Sequence, residues 1–245
     1  MSRYNRHDIL PHLNLDGPLK TKIAVIGAGG VGSPLILYLA GAGASLDIYD
    51  FDVVDVTNLH RQIIHTEPGV QKAQSAAMHA MRLNPEARVT PFNVRLTSEN
   101  ISMIGTADAI IDTSDNPETR ILVAEFAFQH SIPHLYAACA RFQYQIVWFN
   151  ICPAAPCFCC VFTANTPPAA LQMRAASHGV LGPATGVASS LAACELIKFA
   201  GNSELCLQGL LLGSVLDNSQ RVVAVQPRAG CAWCGGKIMG EDTKE

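Results

Sequence analysis

Two short cysteine pairs form the most specific chemical pattern in this 245-residue sequence. In Cys157-x-x-Cys160 and in Cys231-x-x-Cys234, two thiols have the spacing that lets both sulfurs reach one metal ion. Four thiolates complete a closed tetrahedral shell around Zn²⁺, which is typical of structural zinc. We exclude the intervening Cys159 because its spacing does not direct it to the same metal. Two disulfides or a redox pair are the alternatives to zinc.

A glycine-rich turn predicts a nucleotide site. Gly27, Gly29, Gly30 and Gly32 follow a short apolar strand and precede a predicted helix, which is the context that a GxGxxG pattern requires. These glycines allow a phosphate to approach the free N–H groups of the helix N-terminus. Asp50 ends the next predicted strand and could accept hydrogen bonds from ribose hydroxyls. The motif alone does not distinguish ATP, NAD and FAD, and a glycine turn that serves only helix–sheet packing is the alternative.

Alternating strands and helices must bring these residues together. Apolar runs predict buried strands at 22–27 and 108–112, and an alternating pattern predicts a strand at 88–94. Further strands are predicted at 45–50, 132–138 and 143–149, with helices at 31–42, 69–83, 116–130 and 184–200. Repeated strand–helix–strand units predict an α/β fold with a Rossmann-like, doubly wound, mostly parallel sheet. Segments 207–216 and 221–226 predict a C-terminal antiparallel extension.

Composition and charge exclude several classes of protein. Apolar residues make up 49% and charged residues 15% of the chain, so it can bury a sizeable core. The formal net charge of -3 gives no electrostatic footprint for nucleic acid or an anionic membrane. No uninterrupted apolar run reaches the length of a membrane span, and the polar N-terminal residues lack a signal core. We therefore expect a cytoplasmic protein without a nucleic-acid or membrane partner.

In combination, these motifs resemble the ThiF/MoeB/HesA family of ubiquitin-activating-enzyme-like adenylyltransferases. The resemblance runs from Arg3 to about Gly236 and rests on Arg3-Tyr-Asn-Arg6, Gly27-x-Gly-Gly-x-Gly32, Asp50-Phe-Asp52, Asn58-Leu-x-Arg61-Gln62, Lys72, Asp112-Thr-Ser-Asp115-Asn116 and the two cysteine pairs. It implies an enzyme that binds ATP and Mg²⁺ and activates a carboxylate as an acyl-adenylate, with release of pyrophosphate. It also implies a homodimer.

The resemblance assigns a role to each matching residue. The implied nucleotide-binding residues are Gly27, Gly29, Gly30, Gly32, Asp50, Asp52, Asn58, Arg61, Lys72, Asp112, Thr113 and Asn116. The implied catalytic residues are Arg6, Arg61, Gln62, Lys72 and Asp112. Among them, Asp112 would hold Mg²⁺ at the end of a strand. Arg6 would act as an arginine finger in the site of the partner subunit.

The acyl substrate implied by the family is the C-terminal Gly-Gly of a ubiquitin-like sulfur-carrier protein. Many relatives have a cysteine shortly before the Gly179-Val-Leu-Gly-Pro183 stretch, but Ala175 stands at that position here, so we expect no thioester there. Adenylation of a small-molecule or peptide carboxylate in cofactor or natural-product biosynthesis is one alternative, and an NAD-dependent oxidoreductase is another.

We expect residues 1–245 to form a single adenylation domain. Its nucleotide-binding half is expected at about 1–150, its zinc-tied half at about 151–236, and a polar tail at 237–245.

Overall fold

The computed structural model describes residues 2–162 and 178–235. The strands are β1 (Lys22–Ile26), β2 (Ser45–Tyr49), β3 (Arg88–Phe92), β4 (Ala109–Asp112), β5 (His134–Ala140), β6 (Gln143–Phe149), β7 (Leu210–Ser214) and β8 (Ser219–Val223). The described α-helices are α1 (Asn5–Asp8), α2 (Gly32–Gly41), α3 (Lys72–Leu83), α4 (Pro117–Gln129), α5 (Phe158–Val161) and α6 (Gly182–Gly201). All of these strands join one eight-stranded sheet, in the order β3-β2-β1-β4-β5-β6-β7-β8.

The first five strands pair in parallel, as the sequence predicts. Helices cover both faces of this part of the sheet. Ile23 and Val25 of β1 pack in the core that contains α2, α3 and α6 residues, whereas Ala24 and Ile26 pack in the core that contains α4 residues. Burial on both faces explains why β1 is a continuous apolar run rather than an alternating one.

The strand order reverses at β1, because the chain continues to β2 on one side and later to β4 on the other. In open α/β sheets, ligands bind in the crevice outside the carboxyl ends of the strands at such a switch point. The glycine turn begins at Gly27, directly after β1, and the 113–116 segment follows β4. The fold therefore brings two of the predicted motifs to one crevice.

The last four strands form an antiparallel continuation, and the predicted C-terminal extension is confirmed as β7 and β8. β6 runs antiparallel to β5 because only Arg141 and Phe142 separate the two strands, whereas a parallel pairing needs a long crossover. Arg141 adopts φ 56° at this turn. One sheet thus extends through both of the predicted halves.

The start of α3 differs from the prediction. Helix α3 begins at Lys72 rather than at Gly69, because Gln71 is still extended and forms a bridge with Val53. Within residues 2–162 and 178–235, no helix has the length and apolar character needed to traverse a bilayer. The predictions about Ala175 and about the tail at 237–245 lie outside the described residues.

Candidate functional site

A cleft of about 920 Å³, including space open to solvent, lies at the carboxyl ends of β1, β2 and β4. Many of the predicted site residues line it, namely Gly27, Gly29, Gly30, Asp50, Asp52, Arg61, Gln62, Lys72, Thr113 and Asn116. The other predicted residues are not on its wall, namely Arg6, Gly32, Asn58 and Asp112.

The glycine turn has a backbone that other residues could not adopt. Gly27 has φ 95°, and a Cβ at Gly32 would collide with the carbonyl oxygen of Gly27. The hydroxyl of Thr113 donates to the carbonyl oxygens of Ile26 at 3.0 Å and Gly27 at 2.8 Å. Gly32 therefore allows the tight turn, while Thr113 fixes the turn to the loop after β4.

His65 holds the same turn from the other side. Its Nε2 lies 2.9 Å from the carbonyl oxygen of Ala28, and its Nδ1 lies 3.0 Å from the hydroxyl of Ser75. Burial lowers the pKa of His65, which favours the neutral ring. Because the Ala28 carbonyl can only accept a hydrogen bond, the ring proton is assigned to Nε2. Sequence reasoning missed this role, because a lone histidine in a polar loop carries no recognisable spacing.

Asp50 connects the glycine turn to the end of β2. One carboxylate oxygen accepts the N–H of Ala28 at 2.8 Å, and the other accepts the N–H of Asp52 at 2.8 Å. Burial raises the pKa of Asp50, while Lys72 and the two backbone donors oppose that rise. Carboxylate oxygens have further lone pairs, so Asp50 can also accept a hydrogen bond from a ribose hydroxyl.

Lys72 and Asp52 form an ion pair on the cleft wall. The ammonium of Lys72 lies 2.9 Å from Asp52 Oδ2, with side-chain exposures of 7% for Lys72 and 49% for Asp52. The backbone N–H of Lys72 also donates to the carbonyl oxygen of Asp52 at 2.8 Å. A buried cation at the first residue of α3 is thereby fixed at the cleft.

The guanidinium of Arg61 is held by its own loop. It donates to Asn58 Oδ1 at 2.7 Å, to the carbonyl oxygen of Thr57 at 3.1 Å and to His60 Nε2 at 3.0 Å. Burial lowers the pKa of Arg61, and nearby Asp115 raises it. Asn58, which is not on the cleft wall, therefore orients Arg61. The direct contact of Asn58 with the nucleotide stays a prediction.

Gln62 lines the cleft and has an amide oxygen that is unpaired among the described residues. Its side chain is buried, and its Oε1 has no hydrogen-bond partner within the described ranges. A buried acceptor without a partner is costly, so a ligand that donates a hydrogen bond to it gains free energy from that contact.

Asp112 and Asp115 have different surroundings. Asp112 is fully buried, and burial raises its pKa. One of its oxygens accepts the N–H of Ser114 at 2.8 Å, and the other has no hydrogen-bond partner among the described residues. Asp115 is exposed and lines the cleft. The magnesium role of Asp112 stays a prediction, while the geometry offers Asp115 as the more accessible carboxylate.

Arg120 fixes the loop that carries these aspartates. Its buried guanidinium donates through Nε and Nη2 to the carbonyl oxygen of Ser114, at 3.1 and 2.7 Å. Its guanidinium carbon also lies 5.1 Å from the ring centroid of Tyr136. Sequence reasoning missed Arg120, although it follows the Asp112–Asn116 motif on the first turns of α4.

The four predicted cysteines form one cluster. Their sulfurs all lie within 4.8 Å of one another. The Sγ–Sγ distances are 3.6 Å for Cys157–Cys160, 3.5 Å for Cys157–Cys231 and 3.4 Å for Cys160–Cys234. Tetrahedral zinc with Zn–S bonds of about 2.3 Å has sulfurs about 3.8 Å apart, so these residues fit Zn²⁺. Cys159 is not a member of the cluster, in agreement with its exclusion.

The sequence profile of the ThiF family matches residues 5–232. The chain belongs to the ThiF family. The adenylyltransferase and sulfurtransferase MOCS3 of Aedes aegypti is 35% identical over 243 residues, which cover 96% of this chain and 55% of that protein. The adenylyltransferase and sulfurtransferase uba4 of Aspergillus terreus is 38% identical over 216 residues, which cover 82% of this chain and 44% of that protein.

This ThiF-family chain spans about half the length of the curated relatives it matches. The crystal structure of Escherichia coli MccB with ATP superposes with a TM-score of 0.75 at 20% sequence identity. That match covers 89% of this chain and 67% of the MccB chain. The similarity confirms the fold that the sequence predicts.

Arg6 of this ThiF-family chain lies outside its own cleft. It is exposed on the short helix α1, beside Tyr4. Tyr4 is buried, donates to Glu86 Oε2 at 3.1 Å and accepts from Asn84 Nδ2 at 3.0 Å. The N-terminal segment is thereby docked next to α3, while the role of Arg6 in a partner subunit stays a prediction.

Cys139 is the cysteine on the cleft wall among the described residues. Burial raises the pKa of its thiol to about 12. The reactive form of cysteine is the thiolate, so Cys139 is a poor nucleophile in this environment.

Proposed function

We propose that this protein is an ATP-dependent adenylyltransferase that activates a carboxylate as an acyl-adenylate. One observation carries this proposal. A single cleft at the switch point of the sheet combines a glycine turn, two fixed cations and accessible carboxylates. The 35% identity to relatives named adenylyltransferase and sulfurtransferase supports the same reaction.

The residues of the cleft suit attack on an α-phosphate. The glycine turn and the N-terminus of α2 offer backbone N–H groups to the phosphates. A substrate carboxylate oxygen forms a bond to the α-phosphorus, and the bond from that phosphorus to the bridging oxygen of pyrophosphate breaks. Arg61 and Lys72 stabilise the negative charge that builds up on the phosphate oxygens, and their fixed positions reduce the cost of reorganisation.

Magnesium would be held by a carboxylate on the cleft wall. Mg²⁺ prefers oxygen ligands and neutralises charge on the phosphates that it bridges. We propose Asp115 for this role over Asp112, because Asp115 is exposed to the cleft and Asp112 is fully buried.

The proposed substrate is the C-terminal Gly-Gly of a ubiquitin-like sulfur carrier. The product is expected to remain an acyl-adenylate. Ala175 offers no thiol, and burial raises the pKa of the Cys139 thiol to about 12. The alanine at position 175 also supports a second candidate, adenylation of a peptide or small-molecule carboxylate.

Pyrophosphate exchange tests the proposal. The protein is incubated with ATP, Mg²⁺, labelled pyrophosphate and a sulfur carrier that ends in Gly-Gly, with the same carrier lacking its last glycine as the control. We expect exchange only with the intact carrier, and we expect Arg61→Ala to lower it at least 100-fold, since it removes a fixed charge near the transition state. Exchange with a peptide or small carboxylate instead would select the second candidate.

Equilibrium binding separates this class from an oxidoreductase. We expect ATP to bind and NAD⁺ not to compete with it. Binding of NAD⁺ in preference to ATP would overturn the adenylyltransferase proposal. We also propose that the cysteine cluster binds zinc, that the protein is a homodimer and that it is cytoplasmic.

A further inference from the structure

A continuous series of hydrogen bonds and one ion pair links Asp52 and Lys72 to the glycine turn. The N–H of Ala28 and the N–H of Asp52 each donate to Asp50 at 2.8 Å. The N–H of Lys72 donates to the Asp52 carbonyl at 2.8 Å, and the Lys72 ammonium lies 2.9 Å from the Asp52 carboxylate. Asp52 therefore touches both the acid expected to bind ribose and the cation expected to bind phosphate.

The environment of Lys72 makes a counter-ion necessary. Its side chain is 7% exposed, and a buried charge without a partner is strongly destabilising. Lys72 is also the first residue of α3, where the partial positive charge of the helix N-terminus disfavours a cation. Asp52 offsets both effects, because its carboxylate contacts the ammonium directly.

The same pair lies where phosphate is expected. Both side chains line the cleft, and the Asp52 side chain is 49% exposed, so its other face meets solvent. An ammonium has three N–H donors and can contact a phosphate oxygen beside Asp52. Two anionic groups would then share one cation and repel each other, so Asp52 contributes less to the nucleotide complex than to the free protein.

On the basis of the proposed function, we infer that Asp52 is a positioning residue. It holds Lys72 in the free protein and releases the Lys72 ammonium to the phosphates when the nucleotide binds. Asp52 acts through Lys72, whose ammonium it contacts at 2.9 Å. By linkage, a group that stabilises the free protein more than the complex weakens binding. Removing the charge of Asp52 therefore tightens ATP binding while it destabilises the free protein.

Asp52→Asn tests this inference, because it removes the charge and keeps the size of the side chain. The probes are Mg·ATP and adenosine, measured by calorimetry, together with the thermal midpoint of the free protein. We expect Asp52→Asn to bind Mg·ATP roughly five- to tenfold more tightly, the range that a typical pairwise coupling produces. We expect adenosine binding to be unchanged and the midpoint of the free protein to fall.

A double-mutant cycle shows whether Asp52 acts through Lys72. In a Lys72→Met background, which keeps the apolar stem and removes the charge, Asp52→Asn is expected to change neither ATP affinity nor the thermal midpoint. Glu67→Gln is the matched control, because it removes an exposed negative charge from the same loop, away from the cleft wall. It is expected to leave both readouts at wild-type values.

Three outcomes overturn the inference. Weaker Mg·ATP binding by Asp52→Asn would mean that Asp52 contacts the nucleotide or its metal directly. An equal effect of Asp52→Asn in the wild-type and Lys72→Met backgrounds would mean that it does not act through Lys72. Failure of the wild-type protein to bind ATP would overturn the proposed function as well, whereas the first two outcomes leave that proposal intact.

Discussion

At the scale of single residues, Asp112 and Asp115 belong to one motif but differ in what their carboxylates can reach. We expect Asp115→Asn to lower Mg²⁺-dependent pyrophosphate exchange about 100-fold or more, because the variant removes an exposed charge from the cleft wall. A Mg²⁺ titration of the exchange rate measures this effect.

Asp112→Asn serves as the comparison. Its carboxylate is fully buried and accepts the N–H of Ser114, so its main effect is expected on stability, at about 1–3 kcal/mol. If Asp112→Asn lost its Mg²⁺ dependence and Asp115→Asn kept it, the assignment to Asp115 would be wrong.

His134 gives the protein a predicted acid sensitivity. It is fully buried between the rings of Phe149 and Phe158, neither ring nitrogen has a partner within the described ranges, and burial lowers its pKa to about 3. An unfolded histidine has a pKa of about 6.5. Protonation therefore favours the unfolded chain, and stability is lost as the pH falls from about 6.5 toward about 3, by up to about 1.4 kcal/mol per pH unit.

His134→Phe is expected to remove this contribution. The variant keeps an aromatic ring in the same cluster and cannot take up a proton. Denaturant unfolding from pH 7 to pH 4 measures the difference between the two proteins, and acid effects on the cysteine cluster are common to both. Equal pH slopes would show that His134 does not carry the sensitivity.

The sequence predicted much of the cleft and the cysteine cluster because few other residue types can serve at such positions. Glycine at a positive φ, as at Gly27, and cysteine pairs around a metal are examples of this restriction. His65 and Arg120 were missed because they act on backbone carbonyls of the cleft loops. A bond to a carbonyl makes no demand on neighbouring sequence, so no pattern marks it.

At the scale of secondary-structure elements, the cysteine cluster ties α5 to the segment at 231–234, which follows the last strand. Cys157→Ser is expected to lose a stoichiometric zinc ion and several kcal/mol of folding free energy together, because structural zinc contributes to folding directly. Metal analysis and thermal unfolding measure the two effects.

Cys159→Ser is the matched control for zinc binding. It removes a thiol from helix α5, next to Cys160, without removing a member of the cluster, so its zinc content is expected to match the wild type. Full zinc content in Cys157→Ser would contradict the proposed metal site.

Strands β1 and β4 were predictable because burial on both faces makes each of them a nearly continuous apolar run. The start of α3 was not, because it depends on the bridge between Val53 and Gln71, which are distant in sequence. Pairing between remote segments leaves no local signal.

At the scale of the whole molecule, Arg6 provides the test of assembly. It is exposed outside its own cleft, and we propose that it completes the site of a partner subunit. Arg6→Ala and Arg61→Ala are each expected to lower exchange at least 100-fold. A mixture of the two variants is expected to recover about a quarter of the wild-type rate, because half of randomly paired dimers are mixed and each of those has one complete site.

Pyrophosphate exchange is measured after the two variants have been mixed and have exchanged subunits. Unmixed variants at the same total concentration are the control. A mixture no more active than its components would mean that Arg6 does not act across an interface. Fold and family were predictable for the whole chain, whereas the contacts between subunits depend on surfaces for which a single sequence offers no pattern.

The anchoring of the glycine turn bears on how fast a nucleotide can enter. Thr113, His65 and Asp50 fix its main chain through the protein's own side chains, so no segment of the turn has to become ordered during association. A rigid receptor loses little conformational entropy on association and requires no slow rearrangement. The on-rate should then be set by diffusion and dehydration of the phosphates, and differences in affinity among nucleotides should appear mainly as differences in residence time.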